Sequence, residues 1–418
     1  MTQNKRALKL TSFSLLLSLF CIRPGALGQN YTPIGLVLIT LAGAVFLIRN
    51  EARIRPTDEL KGDIFGTIVL WSIFVAYESV VIVLSGRGSV QFFINDVVIA
   101  FVVICVYGSF LANGENNQVF FRQFSTLIGC MGISCGITFV LFRLVSPESI
   151  HLFDISIKGY EGSGVTAGDT GRVYFPFSML YQQFAQGLPR FCSFFTEAGI
   201  FQAMACFGFA YESLTRRSRW VRFGQAIAIV TSLSSMGLVL LAISMGAIYA
   251  FRRRFKPASI SVAVAACVIA LLLAFYTPMV GLADKAITRG GTITDRTQAS
   301  QAGLNRALVN PLGDGFGSDL TNHNSGITLI ASLGAWGFLG VILQAVLLSG
   351  VRRHFTLSQI AKVIVCLPLL LTALFSEPIA GLGMLYALVM VWIPEHSNLS
   401  APRKGVIGPQ NRPAFQTT

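Results

Sequence analysis

The sequence predicts an all-α polytopic membrane protein with about twelve transmembrane helices and two long extracytoplasmic loops. The 418 residues are 53% hydrophobic and only 12% charged, whereas charged residues make up about a quarter of a typical soluble domain. Apolar runs close to the length that crosses a bilayer as a helix recur from one end of the chain to the other. Because no long polar stretch is left over, we expect a single membrane domain over residues 1–418.

Each apolar run predicts one span. Residues 219–251 are long enough for one helix, but SLSSMG in their middle predicts a turn between two short helices. The predicted spans are 10–22, 33–48, 64–85, 91–111, 124–144, 191–213, 219–233, 235–251, 257–276, 324–349, 358–375 and 380–394.

The basic residues predict the topology. With the N-terminus in the cytoplasm, about two thirds of the 32 lysines and arginines fall on cytoplasmic segments, including RRSRWVR and RRRFK. This distribution follows the positive-inside rule for a multi-pass protein with both termini cytoplasmic, and it explains the net charge of +13 without nucleic acid.

The first apolar run also resembles a cleavable signal peptide. We favour an uncleaved span, and cleavage would leave the later topology unchanged.

Two long loops, at about 145–190 and 277–323, face outward in this topology and are rich in Gly, Ser, Thr and Asp. Long loops in a compact membrane protein often carry function. Most of the outward lysines and arginines lie on these loops, although the positive-inside rule disfavours them there. We therefore expect an anionic ligand outside the membrane. The alternative is that the loops are polar only because they are exposed.

The segment RFCSFFTEAG, residues 190–199, places Arg190 and Glu197 at the outer end of the sixth predicted span. If it is helical, Arg190, Ser193, Phe194 and Glu197 lie along one side of the helix. A carboxylate inside a span needs a partner or water. The functional interpretation is a polar cavity open to the outside, and the structural one is an ion pair that holds the bundle together.

Three more acids, Glu78, Asp96 and Glu377, fall in the outer halves of predicted spans or at an outer turn. A proton-coupled transporter more often places such residues near the bilayer midplane. Their distribution therefore favours a site that is entered from outside.

The second loop carries the most ordered pattern, TDRTQASQAGLNRALVNPLGDGFGSDLTNHNSG. It predicts an amphipathic helix from Arg296 to about Val309, a turn at NPLGDGFG, and Asn322-His323-Asn324 at the start of the tenth span. A histidine near a helix N-terminus is favoured in its neutral form, which can act as a general base. The alternative is a capping asparagine beside a solvated histidine.

These patterns resemble those of a known superfamily. RFCSFFTEAG is similar to the Arg…Phe-x-Glu-Pro-Gly pattern of Wzy-type polysaccharide polymerases. DR…NPLGDGFG…HNSG…LGAWGFLG is similar to the Arg…Pro-x-x-Gly-x-Gly…His-Asn…Gly-x-x-Gly pattern of the wider O-antigen ligase and polymerase superfamily, and TSLSSMGLVLLAIS resembles its Ser-rich short span. The chain departs from the polymerases at Ala198, where they usually have proline, while Ser376-Glu377-Pro378 carries a Glu-Pro dipeptide elsewhere.

The resemblance implies a GT-C-like glycosyltransferase in the bacterial inner membrane. Its donor would be an oligosaccharide linked to undecaprenyl pyrophosphate, and it would build O-antigen, capsule or exopolysaccharide at the outer face of the membrane. The implied partners are these lipid-linked oligosaccharides, the lipid bilayer, and a chain-length regulator and flippase of the same pathway.

The residue types suit this chemistry. A guanidinium binds two phosphate oxygens at once through parallel N–H···O bonds, and it needs no metal to do so. The acceptor hydroxyl needs a base that takes its proton. Because the outward loops contain no Asp-x-Asp sequence, we expect no divalent metal, and we expect no cofactor. The expected base is His323 or, as second choice, Glu197, and the expected substrate-binding residues are Arg190, Arg296, Arg172, Arg289 and Asn324.

Three other functions stay open. An O-antigen ligase, which transfers glycan to lipid A–core, would carry the same superfamily patterns. A transporter or flippase of lipid-linked oligosaccharides would also combine many spans with an anion site, although the halves show no internal repeat and the long one-sided loops count against alternating access. A non-catalytic partner of an export complex would tolerate the loss of His323.

Overall fold

The computed structural model describes residues 2–28, 30–50, 58–156, 170–180, 189–215, 218–276, 290–318, 328–351 and 356–394. Helices dominate this part of the chain. They are α1 (Thr2–Leu19), α2 (Thr32–Asn50), α3 (Asp58–Ser85), α4 (Val90–Leu111), α5 (Gly114–Leu141), α6 (Ala198–Leu214), α7 (Arg219–Thr231), α8 (Ser235–Arg252), α9 (Pro257–Tyr276), α10 (Gly290–Val309), α11 (Leu333–Ser349), α12 (Leu357–Phe375) and α13 (Gly383–Leu388). The strands are β1 (His151–Ser156), β2 (Thr170–Tyr174) and β3 (Ser178–Leu180).

Six of the described helices, α3, α4, α5, α8, α9 and α12, are long and apolar enough to cross a membrane. Two shorter helices, α2 and α11, are also apolar. Large apolar side chains on the outside of the bundle, such as Val83 and Leu272, are more than half exposed. These surfaces suit lipid and not water, so the fold is that of a helical membrane protein.

Helix α6 lies at the centre of the bundle. It packs against α5, α7, α8 and α12, and nearly all of its residues are buried. Its sequence, AGIFQAMACFGFAYESL, is apolar on every side, as expected for a helix with no exposed face. The N-terminal end of this central helix therefore brings segments from several parts of the chain together.

Two local predictions are confirmed. Helix α7 ends at Thr231 and α8 begins at Ser235, so the first three residues of SLSSMG form a turn between two helices. In the second long loop, α10 ends at Val309 as predicted, although it begins at Gly290 and not at Arg296.

The first long loop departs from the all-α prediction. Strands β1, β2 and β3 form an antiparallel sheet in sequence order. The hydroxyl of Thr138, near the end of α5, lies 2.8 Å from the Phe175 carbonyl oxygen, to which it donates, and 2.9 Å from Ser178 Oγ. These bonds fix the sheet to the end of a candidate membrane span.

The last predicted span, 380–394, is mostly not helical. It contains only the short helix α13, and three backbone groups after this helix bind side chains of other helices. Asn117 on α5 donates Nδ2 to the Met390 carbonyl at 2.9 Å and accepts the Trp392 N–H at 3.1 Å. One buried amide side chain therefore supplies partners that a continuous helix would have supplied itself.

Candidate functional site

The segment before α6 is not helical, so the predicted stripe from Arg190 to Glu197 is wrong. Its backbone groups bind other segments. Cys192 N–H donates to the Met179 carbonyl at 3.1 Å, and the Phe194 carbonyl accepts the Ala26 N–H at 2.9 Å. Ser193 has a left-handed φ of 49°, which no α-helix contains. Helix α6 therefore starts at Ala198, directly after Glu197.

Arg190 is anchored on the turn between α7 and α8. Its Nε donates to the Ser232 carbonyl at 3.2 Å, and the neighbouring Phe191 N–H donates to the Thr231 carbonyl at 3.2 Å. The Ser-rich turn and the segment that carries Arg190, both singled out in the sequence, therefore lie side by side.

Glu197 meets a second carboxyl group, that of Glu377. Glu377 lies in the turn after α12 and is buried. The two carboxyls are in hydrogen-bond contact. The approach depends on Gly199, since a Cβ at that position would lie 2.8 Å from Glu377 Cγ and closer still to its carboxyl. Both glutamates are outside the membrane-spanning helices.

Arg296 on α10 completes the cluster. Its Nη2 lies 3.3 Å from Glu377 Oε1, to which Ser376 also donates its hydroxyl at 3.4 Å. Burial raises the pKa of Glu197 well above its ordinary value, and the charge and hydrogen bond of Glu377 raise it further. The positive charges of Arg296 and Arg190 act on this pKa in the opposite direction. Residues from three distant segments therefore share one electrostatic environment.

The glycine-rich turn of the second loop is locked against α11. Asp314 N–H donates to the Gly334 carbonyl at 2.9 Å, and Gly315 N–H donates to the Ala335 carbonyl at 2.8 Å. Gly337 has a φ of 61° and interrupts α11, and a Cβ there would lie 2.5 Å from the Leu312 carbonyl carbon. Glycine is required because backbone packs directly on backbone, and this contact fixes the end of α10 and thereby helps to place Arg296.

The remaining predicted site residues do not join this cluster. Arg172 lies on β2, where its Nη1 is 2.7 Å from Glu148 Oε1. Asp96 lines a small pocket between α3 and α4, and Glu78 is buried beside Gly340 of α11. The other three fall outside the described residues: Arg289, His323 and Asn324.

No family model matches the chain, and neither the curated proteins nor the solved structures contain a match. Any function must therefore be argued from the residues and their geometry. The main functional candidate that sequence reasoning did not connect to the site is Glu377. Two sequence features mark Glu377: its predicted place at an outer turn, and the dipeptide Glu377-Pro378, which lies far from the segment where the polymerase pattern has one. Neither feature connects it to Glu197.

Proposed function

We propose that this chain polymerises undecaprenyl-pyrophosphate-linked oligosaccharide repeat units into surface polysaccharide at the outer face of the bacterial inner membrane. The observation that supports the proposal is the meeting of Arg296 with Glu197 and Glu377 at the N-terminal end of α6. Glycosyl transfer from a pyrophosphate needs cations for the leaving group and a proton acceptor for the attacking hydroxyl. This cluster offers both.

In the proposed reaction, an acceptor hydroxyl attacks the anomeric carbon of the donor. The bond from that carbon to the pyrophosphate oxygen breaks, and the electron pair leaves with undecaprenyl pyrophosphate. Arg296 and Arg190 stabilise the charge that develops on the leaving group. Arg190 is suited to this because its bond to the Ser232 carbonyl orients the guanidinium.

In the topology that we propose, this cluster lies on the side of the membrane where such substrates are presented. We propose twelve spans with both termini in the cytoplasm, the last of them formed by α13 and the buried non-helical residues that follow it, since this arrangement puts most lysines and arginines inside. Both loops that contribute to the cluster then face outward. The long apolar helices support a position in the bilayer.

The primary test uses the purified protein in liposomes with an undecaprenyl-pyrophosphate-linked repeat unit, and it measures the length of the glycan product. Arg190→Lys and Arg296→Lys should each impair polymerisation, because an ammonium cannot reproduce the paired bonds of a guanidinium. Arg87→Lys is the matched control, since Arg87 is an exposed arginine that pairs with Asp314 on the same side. If lysine works as well as arginine at both sites while alanine does not, the paired-bond argument is wrong.

The same assay separates the two candidate bases. Loss of a general base costs about 10²–10⁴ in rate. An active His323→Ala protein and an inactive Glu197→Gln protein would assign the base to Glu197, and the opposite result would assign it to His323. Activity in both variants would remove both from the mechanism.

Two product measurements address the other functions. Movement of lipid-linked substrate across the vesicle membrane without polymer would identify a flippase or transporter. Transfer of glycan to lipid A–core, without extension of the lipid-linked repeat, would identify a ligase. Wild-type protein that forms no polymer in the complete assay would contradict the proposal.

A further inference from the structure

We propose that Glu377 is the partner of Glu197 in a carboxyl pair that shares one proton and, as a unit, accepts the proton released in glycosyl transfer. The inference rests on the proposed function and adds a residue that the sequence patterns did not assign. Glu197 is the member that meets the acceptor, and Glu377 acts through Glu197 as a positioning residue.

One carboxyl oxygen of Glu377, Oε2, can accept a proton that is shared with Glu197. Its Oε1 receives Arg296 Nη2 at 3.3 Å and the Ser376 hydroxyl at 3.4 Å. Its Oε2 is buried and has no donor among the residues that the structure describes. A buried acceptor without a donor is costly. A protonated Glu197, already in contact with Glu377, would supply the donor.

Charge points to the same arrangement. Two ionised carboxylates in contact repel each other, so such pairs normally hold one proton between them. The guanidinium of Arg296 lies beside Glu377 and stabilises a negative charge there, so the proton of the pair lies on the partly buried Glu197. The pair and Arg296 together then carry no net charge. An anionic pyrophosphate can approach this neutral cluster, whereas two free carboxylates would repel it.

The groups that face Glu197 come from three segments. They are Glu377 after α12, Arg296 on α10, and Arg190 and Cys192 on its own segment. When the acceptor hydroxyl forms the new bond to the anomeric carbon, its proton passes to Glu197, and Glu197 passes the proton that it held to Glu377. The pair goes from one proton to two, and one is later released to solvent.

The test compares the pH dependence of kcat/KM in wild type and Glu377→Gln. In wild type we expect a bell-shaped profile: at low pH the pair is fully protonated and cannot accept a proton, and at high pH it becomes two anions that repel the donor. In Glu377→Gln the second ionisation no longer exists, so the alkaline limb should disappear. The rate at the optimum should fall about 10²-fold or more.

Asp314→Asn is the matched control. Asp314 lies in the second long loop, and like Glu377 it is an acid that pairs with an arginine, Arg87. It should keep the bell-shaped profile. Glu197→Gln and the double variant Glu197→Gln/Glu377→Gln should lose the same activity, since residues that act as one unit are not additive. Equal binding of the lipid-linked donor by wild type and Glu377→Gln would show that the variant is folded.

A bell-shaped profile and normal rate in Glu377→Gln would overturn the inference while leaving the proposed function intact. Additive losses in the double variant would also overturn it, because the two carboxyls would then act separately. An inactive wild-type protein would instead contradict the proposed function itself.

Discussion

Gly199→Ala is the substitution that most directly tests the packing of Glu377 against the start of α6. The new Cβ would lie 2.6 Å from Glu377 Cδ and 2.8 Å from Cγ. Carbon atoms pack best at about 3.5–4.0 Å, so the Glu377 side chain has to retreat by roughly 1 Å. A displacement of about 1 Å at a reacting group costs on the order of 10² in rate.

Stability should change by two opposing contributions. Replacing a helical glycine with alanine gains up to about 1 kcal/mol in helix propensity, whereas overpacking a buried site costs about 1–3 kcal/mol. Gly108→Ala on α4 is the control, because its Cβ would meet Ile64 Cγ2 at 3.2 Å, and that methyl can yield. The difference in unfolding free energy between the two variants, about 1–3 kcal/mol, isolates the overlap with Glu377.

The assay combines polymer synthesis in liposomes with thermal unfolding in detergent. Glu377→Asp in the Gly199→Ala background shortens the overlapping side chain, so the double variant should recover stability but not rate. If Gly199→Ala keeps the wild-type rate and is stabilised as much as Gly108→Ala, Glu377 does not occupy the position described here and the reasoning is refuted.

Two further predictions concern the bundle and its orientation. Lys362 Nζ lies 2.9 Å from Asp63 Oδ2 in a buried ion pair. Lys362→Met should therefore cost about 3–5 kcal/mol of unfolding free energy, and adding Asp63→Leu should restore most of this loss. A small loss in the single variant would contradict the prediction. Cysteines at the exposed Ser149 and Asn305 should react with an impermeant thiol reagent in outer-permeabilised cells, and one at Lys256 should react only after lysis. The reverse pattern would overturn the proposed topology.

The sequence predicts many of the helices because their signals, apolar runs and polar turns, lie within the helix or next to it. Apolar runs mark where α3, α4 and α9 lie, and a polar turn marks the end of α7. The start of α6 has no such signal. RFCSFFTEAG is apolar enough for a membrane helix. Its backbone groups instead bind the Met179 carbonyl and the segment around Pro24, and not each other as in a helix. Such partners are distant in sequence, so pattern and propensity cannot include them.

The candidate site could be predicted only in part for the same reason. Arg190, Glu197 and Arg296 were recognised from their motifs, and the structure places them in one environment. The contact between Glu197 and Glu377 joins residues about 180 positions apart. It arises because α6 and α12 pack side by side and Gly199 leaves space for the carboxyl. Neither condition can be recognised from the residues around Glu377.

The glycine contacts between the second long loop and α11 determine which positions are free to diverge. A carboxylate can reach the start of α6 from a segment that is distant in sequence, as Glu377 does from the turn after α12. No side chain can occupy the space at Gly313 or Gly337, where a Cβ would overlap the carbonyl groups of Ala335 or Leu312. Related sequences with the same fold should therefore be able to exchange acids and arginines between segments, while the spacing of these glycines stays constant.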